Sequence, residues 1–286
     1  MKLFLLAWVF VLATIAACPE AALAGEKTVV ARRDAFGGAC PRCELSGRKL
    51  AGAHFMGANF AGAALVGSDL RGAQFMGSIF VGADLSRADL SEAGFLGANF
   101  TGAKLTNARL RGVEAHGVSF AKADLTGADL TGVDAMGADF SHASLQRAKL
   151  HGAALPGSVL SRIDARRADF SGAELTGALL IAGQFDGASF RGAELQGADL
   201  TGGSFADADF KGADLDHAVL AGADLSRARG VSQDQLDGAC SDGRTRVPPG
   251  LTAKLCAARL LVRIAPALPP APPVPPAPPR YLVAQP

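Results

Sequence analysis

Residues 53–72 read Ala53-His54-Phe55-Met56-Gly57, Ala58-Asn59-Phe60-Ala61-Gly62, Ala63-Ala64-Leu65-Val66-Gly67, Ser68-Asp69-Leu70-Arg71-Gly72. A large apolar residue stands at the centre of each group of five, a small residue two places before it and a glycine two places after. The same register runs without insertion or deletion from Cys43 to Arg227, which is 37 pentads. Of their centres, Leu45 to Leu225, 34 are Leu or Phe, the exceptions being Ala115, Ala135 and Ala165. From Ala53 to Ala223, 26 of the 35 small positions are Ala, and Ile163 is the one bulky occupant. Gly fills the position two after the centre in 25 of 37 pentads. A period of five fits neither the 3.6 of a helix nor the 2 of a plain strand. It describes a chain that turns a corner every five residues, with one large and one small inward side chain per side and Gly supplying the corner geometry.

A second period lies inside the first. Phe55-Phe60, Phe75-Phe80 and Phe95-Phe100 recur at twenty residues, interleaved with Leu65-Leu70, Leu85-Leu90 and Leu105-Leu110. Four sides therefore close one coil, and residues twenty apart stack. At about 4.8 Å per coil, just over nine coils would stand about 43 Å tall. Further on, the pairs Phe185-Phe190 and Phe205-Phe210 are ten residues out of phase with the first set. The aromatic columns are thus expected to cross to the opposite sides between Phe140 and Phe170, with Ala165 compensating volume at the crossing.

Pentads such as Ala83-Asp84-Leu85-Ser86-Arg87 and Ala128-Asp129-Leu130-Thr131-Gly132 resemble the pentapeptide-repeat family, over about two thirds of the chain. The resemblance implies an all-β fold, a right-handed four-sided β-helix with central Leu/Phe and the preceding Ala facing inward. It is specific for fold and nearly silent about function. Some members of the family imitate duplex DNA and protect topoisomerases. Here residues 43–229 carry 21 acidic and 17 basic side chains, a net of only −4, and export would separate the chain from cytoplasmic DNA enzymes.

The organisation follows from what flanks the repeat. Lys2, the apolar run Leu3–Ala17 and Ala22-Leu23-Ala24 before Gly25 have the form of a secretory signal peptide over residues 1–24. A run of 15 is too short for a spanning helix, which takes about 18 or more apolar residues. Ile15-Ala16-Ala17-Cys18 also resembles a lipobox, in which Cys18 would be the lipidated first residue. The expected location is periplasmic or secreted, alternatively lipid-anchored in the envelope. Residues 25–42 form an N-terminal segment and 43–229 the repeat. Residues 230–264 read as a C-terminal cap, because Ser232 and Gln235 form a capping box flanked by Val231 and Leu236, giving a short helix over about 233–239. A second amphipathic stretch, Leu251 to Ile264, places Leu251, Leu255, Ala258 and Val262 on one side, to pack on the coil or on a second copy. Residues 265–286 are Pro-rich and read as an extended, disordered tail.

Beyond Cys18, the cysteines are Cys40, Cys43, Cys240 and Cys256, an even number suited to an oxidising compartment. The expected pairs are Cys40 with Cys43 and Cys240 with Cys256. Cys40-Pro41-Arg42-Cys43 resembles a redox motif but lacks the strand and helix such a site sits on, and the two pairs lie too far apart to share one zinc ion. His54, His116, His142, His151 and His217 do not converge by the twenty-residue rule. Asp84, Asp89, Asp124, Asp129, Asp134 and Asp139 recur just before the centre, where such a side chain bonds nearby backbone. No catalytic residue, cofactor or metal site is expected, and the chain is read as a non-enzyme.

The whole chain has 286 residues, is 49% hydrophobic and 19% charged, and carries a formal net charge of +1. That composition excludes a disordered polyelectrolyte and gives no charge signature for nucleic-acid binding. One surface feature stands out. Met56, Met76, Leu96 and Met136 share one outward column, with His116 in the missing place and Ile79 and Val81 nearby. An aligned apolar column marks an interaction site, or else is covered by residues 26–39. The expected function is a protein-interaction scaffold, possible partners being another protein or a second copy. The alternatives are a structural envelope component held through Cys18, with membrane contact only in that case, and a DNA-mimicking topoisomerase binder.

Overall fold

The computed structural model describes residues 38–256. The signal peptide and Cys18, most of segment 25–42, residues 257–264 and the Pro-rich tail lie outside that range.

Each pentad forms one side of a coil and the corner that follows it. At Phe60 the carbonyl accepts from Ala63 N–H at 3.0 Å, closing a tight turn through Ala61 and Gly62. Gly62 has φ +66°, the left-handed value such a turn requires at its third residue. Thirty-six of the 37 such corner positions have positive φ, including eleven that are not Gly, among them Ala182 at 54° and Arg162 at 57°. Gly is therefore preferred at the corners but not required.

Between corners, one residue per side pairs with the residue twenty later. These parallel bridges run without a slip from Ala39↔Asn59 to Asp209↔Arg229. Leu65 N–H donates to Asp84 O at 2.7 Å and Asp84 N–H donates to Ala63 O at 2.9 Å, and the pattern recurs in each coil. At the C-terminal end the spacing stretches to 21 at Val219↔Cys240 and 22 at Asp224↔Arg246, as α1 (Gln233–Gly238) and a turn replace flat sides. Ser232 caps α1, its Oγ accepting from Gln235 N–H at 3.3 Å while Ser232 N–H donates to Gln235 Oε1 at 2.7 Å. Gln235 Nε2 then donates to the carbonyls of Phe210 and Ala213, at 3.0 and 2.7 Å. Ala213 lies at the end of the regular ladder, so one side chain does there what strand amides do elsewhere.

The interior is a continuous column of Leu, Phe and Ala. Phe60, Phe80, Phe100, Phe120 and Phe140 stack at 4.6–5.2 Å between successive centroids. After Phe140 the column passes to Leu160, and the second set begins with Phe170 on Phe190 on Phe210 and Phe185 on Phe205. Gly183 and Gly203 stand where Ala is usual because the rings of Phe185 and Phe205 occupy that space; a Cβ on Gly183 would lie 2.5 Å from Phe185 Cε2. Cys40 and Cys43 are joined by a disulfide at the N-terminal end, as are Cys240 and Cys256 at the other.

The described part of the second amphipathic stretch differs from expectation. Residues 251–256 are not helical: Leu255 bridges Ser241 and is 68% exposed, while Leu251 packs against the core. The disulfide to Cys240 and the bond from Cys256 N–H to Ser241 O at 2.8 Å hold the segment extended as a further strand.

Candidate interaction face

The outward residue of each side is the one just before the centre, so the four faces can be named by Glu44, Lys49, His54 and Asn59. On most of them an Asp or Asn turns back on its own corner. Oδ1 of Asp84, Asp89, Asp124, Asp129 and Asp139 accepts from the amide two residues later, at 2.8–3.2 Å. Asp134 does otherwise: its Oδ2 lies 2.8 Å from Nε2 of His116, off hydrogen-bond alignment.

The Lys49 face is polar and paired. Arg71 with Asp69, Arg111 with Asp129 and Arg191 with Asp209 make ion pairs of 2.7–2.9 Å. Each exposed pair contributes about 1 kcal/mol or less. They do, however, break up the negative charge of the face, as do Lys49, Arg109, Lys149 and Arg229 in its outward column. Arg71 donates bidentately to Asp69 and holds its carboxyl below the usual carboxylate range.

The Asn59 face is different. Ile79, Val159, Leu179 and Val219 are the only large aliphatic residues in the outward columns of the four faces over Glu44–Arg229, and all four stand on this one. Along its leading corner run Met56, Met76, Leu96 and Met136, each 48–52% exposed, and Val81 on its trailing corner is also exposed. His116 occupies the gap in the Met column and, with Asp134, places a polar pair between Leu96 and Met136. The three Met side chains are polarizable and unbranched, and with Leu96 in line they suit an adaptable apolar contact.

The column of Met side chains was readable from the twenty-residue period. The same arithmetic applied to the position before the centre aligns Val159, Leu179 and Val219, which sequence reasoning passed over because each looks unremarkable singly. The disulfides stand at the two ends of the coil, and the five histidines fall in different columns of the twenty-residue coil. Among the described residues no three His, Cys, Asp or Glu side chains are grouped as metal ligands would be, and no helix is long and apolar enough to cross a membrane.

Comparison with known proteins places this geometry. The profile described as pentapeptide repeats matches in eight copies over residues 42–77, 68–107, 103–141, 143–180, 168–205 and 204–229. Proteins with such repeats fold as right-handed quadrilateral β-helices, the four-sided coil described above. Among solved structures, HetL, a pentapeptide repeat protein of the cyanobacterium Nostoc involved in regulating heterocyst differentiation, is 30% identical, with 71% of this chain and 91% of HetL covered at a TM-score of 0.63. A pentapeptide repeat protein of the Arabidopsis thaliana thylakoid lumen is 27% identical over 44% of this chain and 80% of its own, with a TM-score of 0.28. QnrB1, a plasmid-mediated fluoroquinolone resistance protein, is 24% identical over 63% of this chain and 92% of its own, also at 0.28. No curated protein sequence matches the chain.

Proposed function

The chain belongs to the pentapeptide-repeat family, and from that premise we propose that it is an exported, non-enzymatic scaffold that binds a protein partner along the Asn59 face and its Met corner. The observation that carries this reading is the line of four large apolar side chains, each about half exposed, along the one face whose outward column carries large aliphatic residues. A rigid stack of coils holds such a line straight and loses little conformational freedom on binding. Export rests on the form of residues 1–24 and fits the two disulfides.

The experiment is crosslinking of the mature protein in its own compartment, with the native chain beside Met76→Ser/Leu96→Ser. The reading expects a discrete adduct that the double variant loses while its thermal midpoint stays the same. Equal capture by both proteins, or capture of lipid and wall material alone, overturns it.

A second reading has its own observation. Ile15-Ala16-Ala17-Cys18 fits lipid attachment at Cys18 and a structural role in the envelope. An inhibitor of lipoprotein processing separates the two: an accumulating precursor supports the anchor, and unimpeded soluble release supports cleavage after Ala24.

A further inference from the structure

Sorted by position in the twenty-residue coil, the charges of residues 43–229 fall unevenly. Taken with the two-residue corner at each edge, the Lys49 face carries 14 basic and 8 acidic side chains, a net of +6. The rest of the coil carries 3 basic and 13 acidic, a net of −10. The basic residues stand in three parallel columns: Arg147 and Arg167 on the leading corner, Lys49 and Lys149 in the outward column, Arg191 and Lys211 on the trailing corner, all exposed.

Ion pairing does not cancel the excess. Five arginines pair with carboxylates of the same face, and Arg166 pairs with Asp164 on the next. The other eight basic residues, among them Arg147, Lys149 and Arg167, have no carboxylate partner among the described residues.

The shape of the charge decides what can meet it. From Lys49 to Arg229 the outward column rises through nine coil steps, about 43 Å at about 4.8 Å each. A planar surface of negative charge touches all three columns at once and leaves the acidic remainder of the coil in water. A duplex is a cylinder, which touches a flat face along one line and misses the outer columns. A polyanion that curls around the coil meets the His54 face, where Glu174, Glu194 and Asp214 stand in successive coils.

We propose that the Lys49 face docks on an anionic lipid surface, held by electrostatic attraction and without acylation at Cys18. The Asn59 face lies opposite in the four-sided coil, so the Met corner points away from the lipid. The inference goes beyond the functional reading above and does not rest on it, because no residue of the apolar line takes part.

Cosedimentation with vesicles tests it on the disulfide-bonded chain carrying Cys18→Ser, which cannot be acylated there. Vesicles of phosphatidylcholine and phosphatidylglycerol in about a two-to-one ratio should bind it at low salt, and vesicles of phosphatidylcholine alone should not. Raising the salt from about 0.05 to about 0.5 M should release it, as screening shortens the reach of each charge. Arg147→Gly/Lys149→Gln/Arg167→Gly removes three of the unpaired cations and is expected to weaken binding about a hundredfold, at about fivefold for each. Lys104→Gln/Lys122→Gly/Arg162→Gly removes the same net charge from outside the face and should change binding by less than about twofold. The two sets are matched in backbone: Arg147, Arg167, Lys122 and Arg162 are corner residues with φ of 56–60°, which Gly adopts freely. Absence of binding to the anionic vesicles at low salt, or equal losses in the two triple variants, overturns the proposal. Equal binding to both kinds of vesicle does so too, and so does tighter binding to duplex DNA than to the anionic vesicles at equal phosphate concentration.

Discussion

Ile163 and Ala165 are buried neighbours that exchange the usual inward volumes, the bulky side chain standing at the small position and the methyl at the centre. Val113 with Ala115 and Val133 with Ala135 make the same exchange. Interiors at crystal density tolerate a change of shape better than a change of volume. Ala165→Leu alone should therefore overpack the coil and cost about 1–3 kcal/mol, while Ile163→Ala alone should leave a cavity costing about 2–5 kcal/mol. The double variant restores the arrangement of the other pentads and is expected to recover most of both losses. Denaturant unfolding of the four proteins reads the coupling; strictly additive losses would show that the two side chains do not share one space.

Ala182 sits at a corner with φ +54° and brings no longer side chain to offset that conformation. A non-Gly residue there costs about 1–2 kcal/mol, against which Gly has about 0.5–1 kcal/mol of extra chain entropy to lose on folding. Ala182→Gly is accordingly expected to stabilise the protein by about 0.5–1 kcal/mol, read as a raised thermal midpoint. A lowered midpoint would mean that the corner is not strained.

The core was legible from the sequence because one inward large residue, one inward small residue and one corner recur with a fixed local period; Phe60, Phe80 and Phe100 announce their stack by spacing alone. The crossing between Phe140 and Phe170 was legible for the same reason. What lies beyond Gly230 was legible only where the signal is local. The Ser232–Gln235 capping pair can be read from four residues, but Leu255 could not be placed. Its apolar spacing with Leu251 suggests a helix, whereas a disulfide and a bridge to Ser241, ties that periodicity does not encode, hold it extended. Asp199 looks in sequence like any other residue before a centre. It is nonetheless buried, which its position in the repeat does not encode.

The two disulfides should differ in worth. Cys240–Cys256 spans 16 residues and Cys40–Cys43 only 3. Loop-closure entropy then gives about 3 kcal/mol for the first and about 2 for the second. Replacing both cysteines of the longer link by Ser is expected to raise hydrogen exchange first at Cys256 and Ser241, whose amides donate to Ser241 and Lys254 carbonyls. Replacing the shorter pair should loosen the opposite end and leave those amides protected. If either replacement exposed both ends equally, the coil would be unfolding as one unit and the local assignment would fail.

Acid should weaken the protein, and the carboxylates say where on the pH scale. Hydrogen bonds from Arg71, Arg166 and Ser226 hold Asp69, Asp164 and Asp224 below the ordinary carboxylate range. At Asp124 and Asp129 partial burial pushes upward, and hydrogen bonds from Thr126 and Thr131 outweigh it. A folded-state value depressed below the unfolded one contributes stability that is fully present above the unfolded pKa, about 3.9 for Asp. That stability is lost as pH falls through the folded values. The thermal midpoint is therefore expected to stay level from neutral pH down to about 5 and to fall below about 4. Asp164→Asn removes one contributor, since Asn can still accept from the Arg166 amide but does not titrate, so its acid branch should be shallower than that of the native chain. A midpoint that held steady or rose between pH 5 and the most acidic measurable point would mean that these hydrogen bonds hold the carboxylates no better than water does.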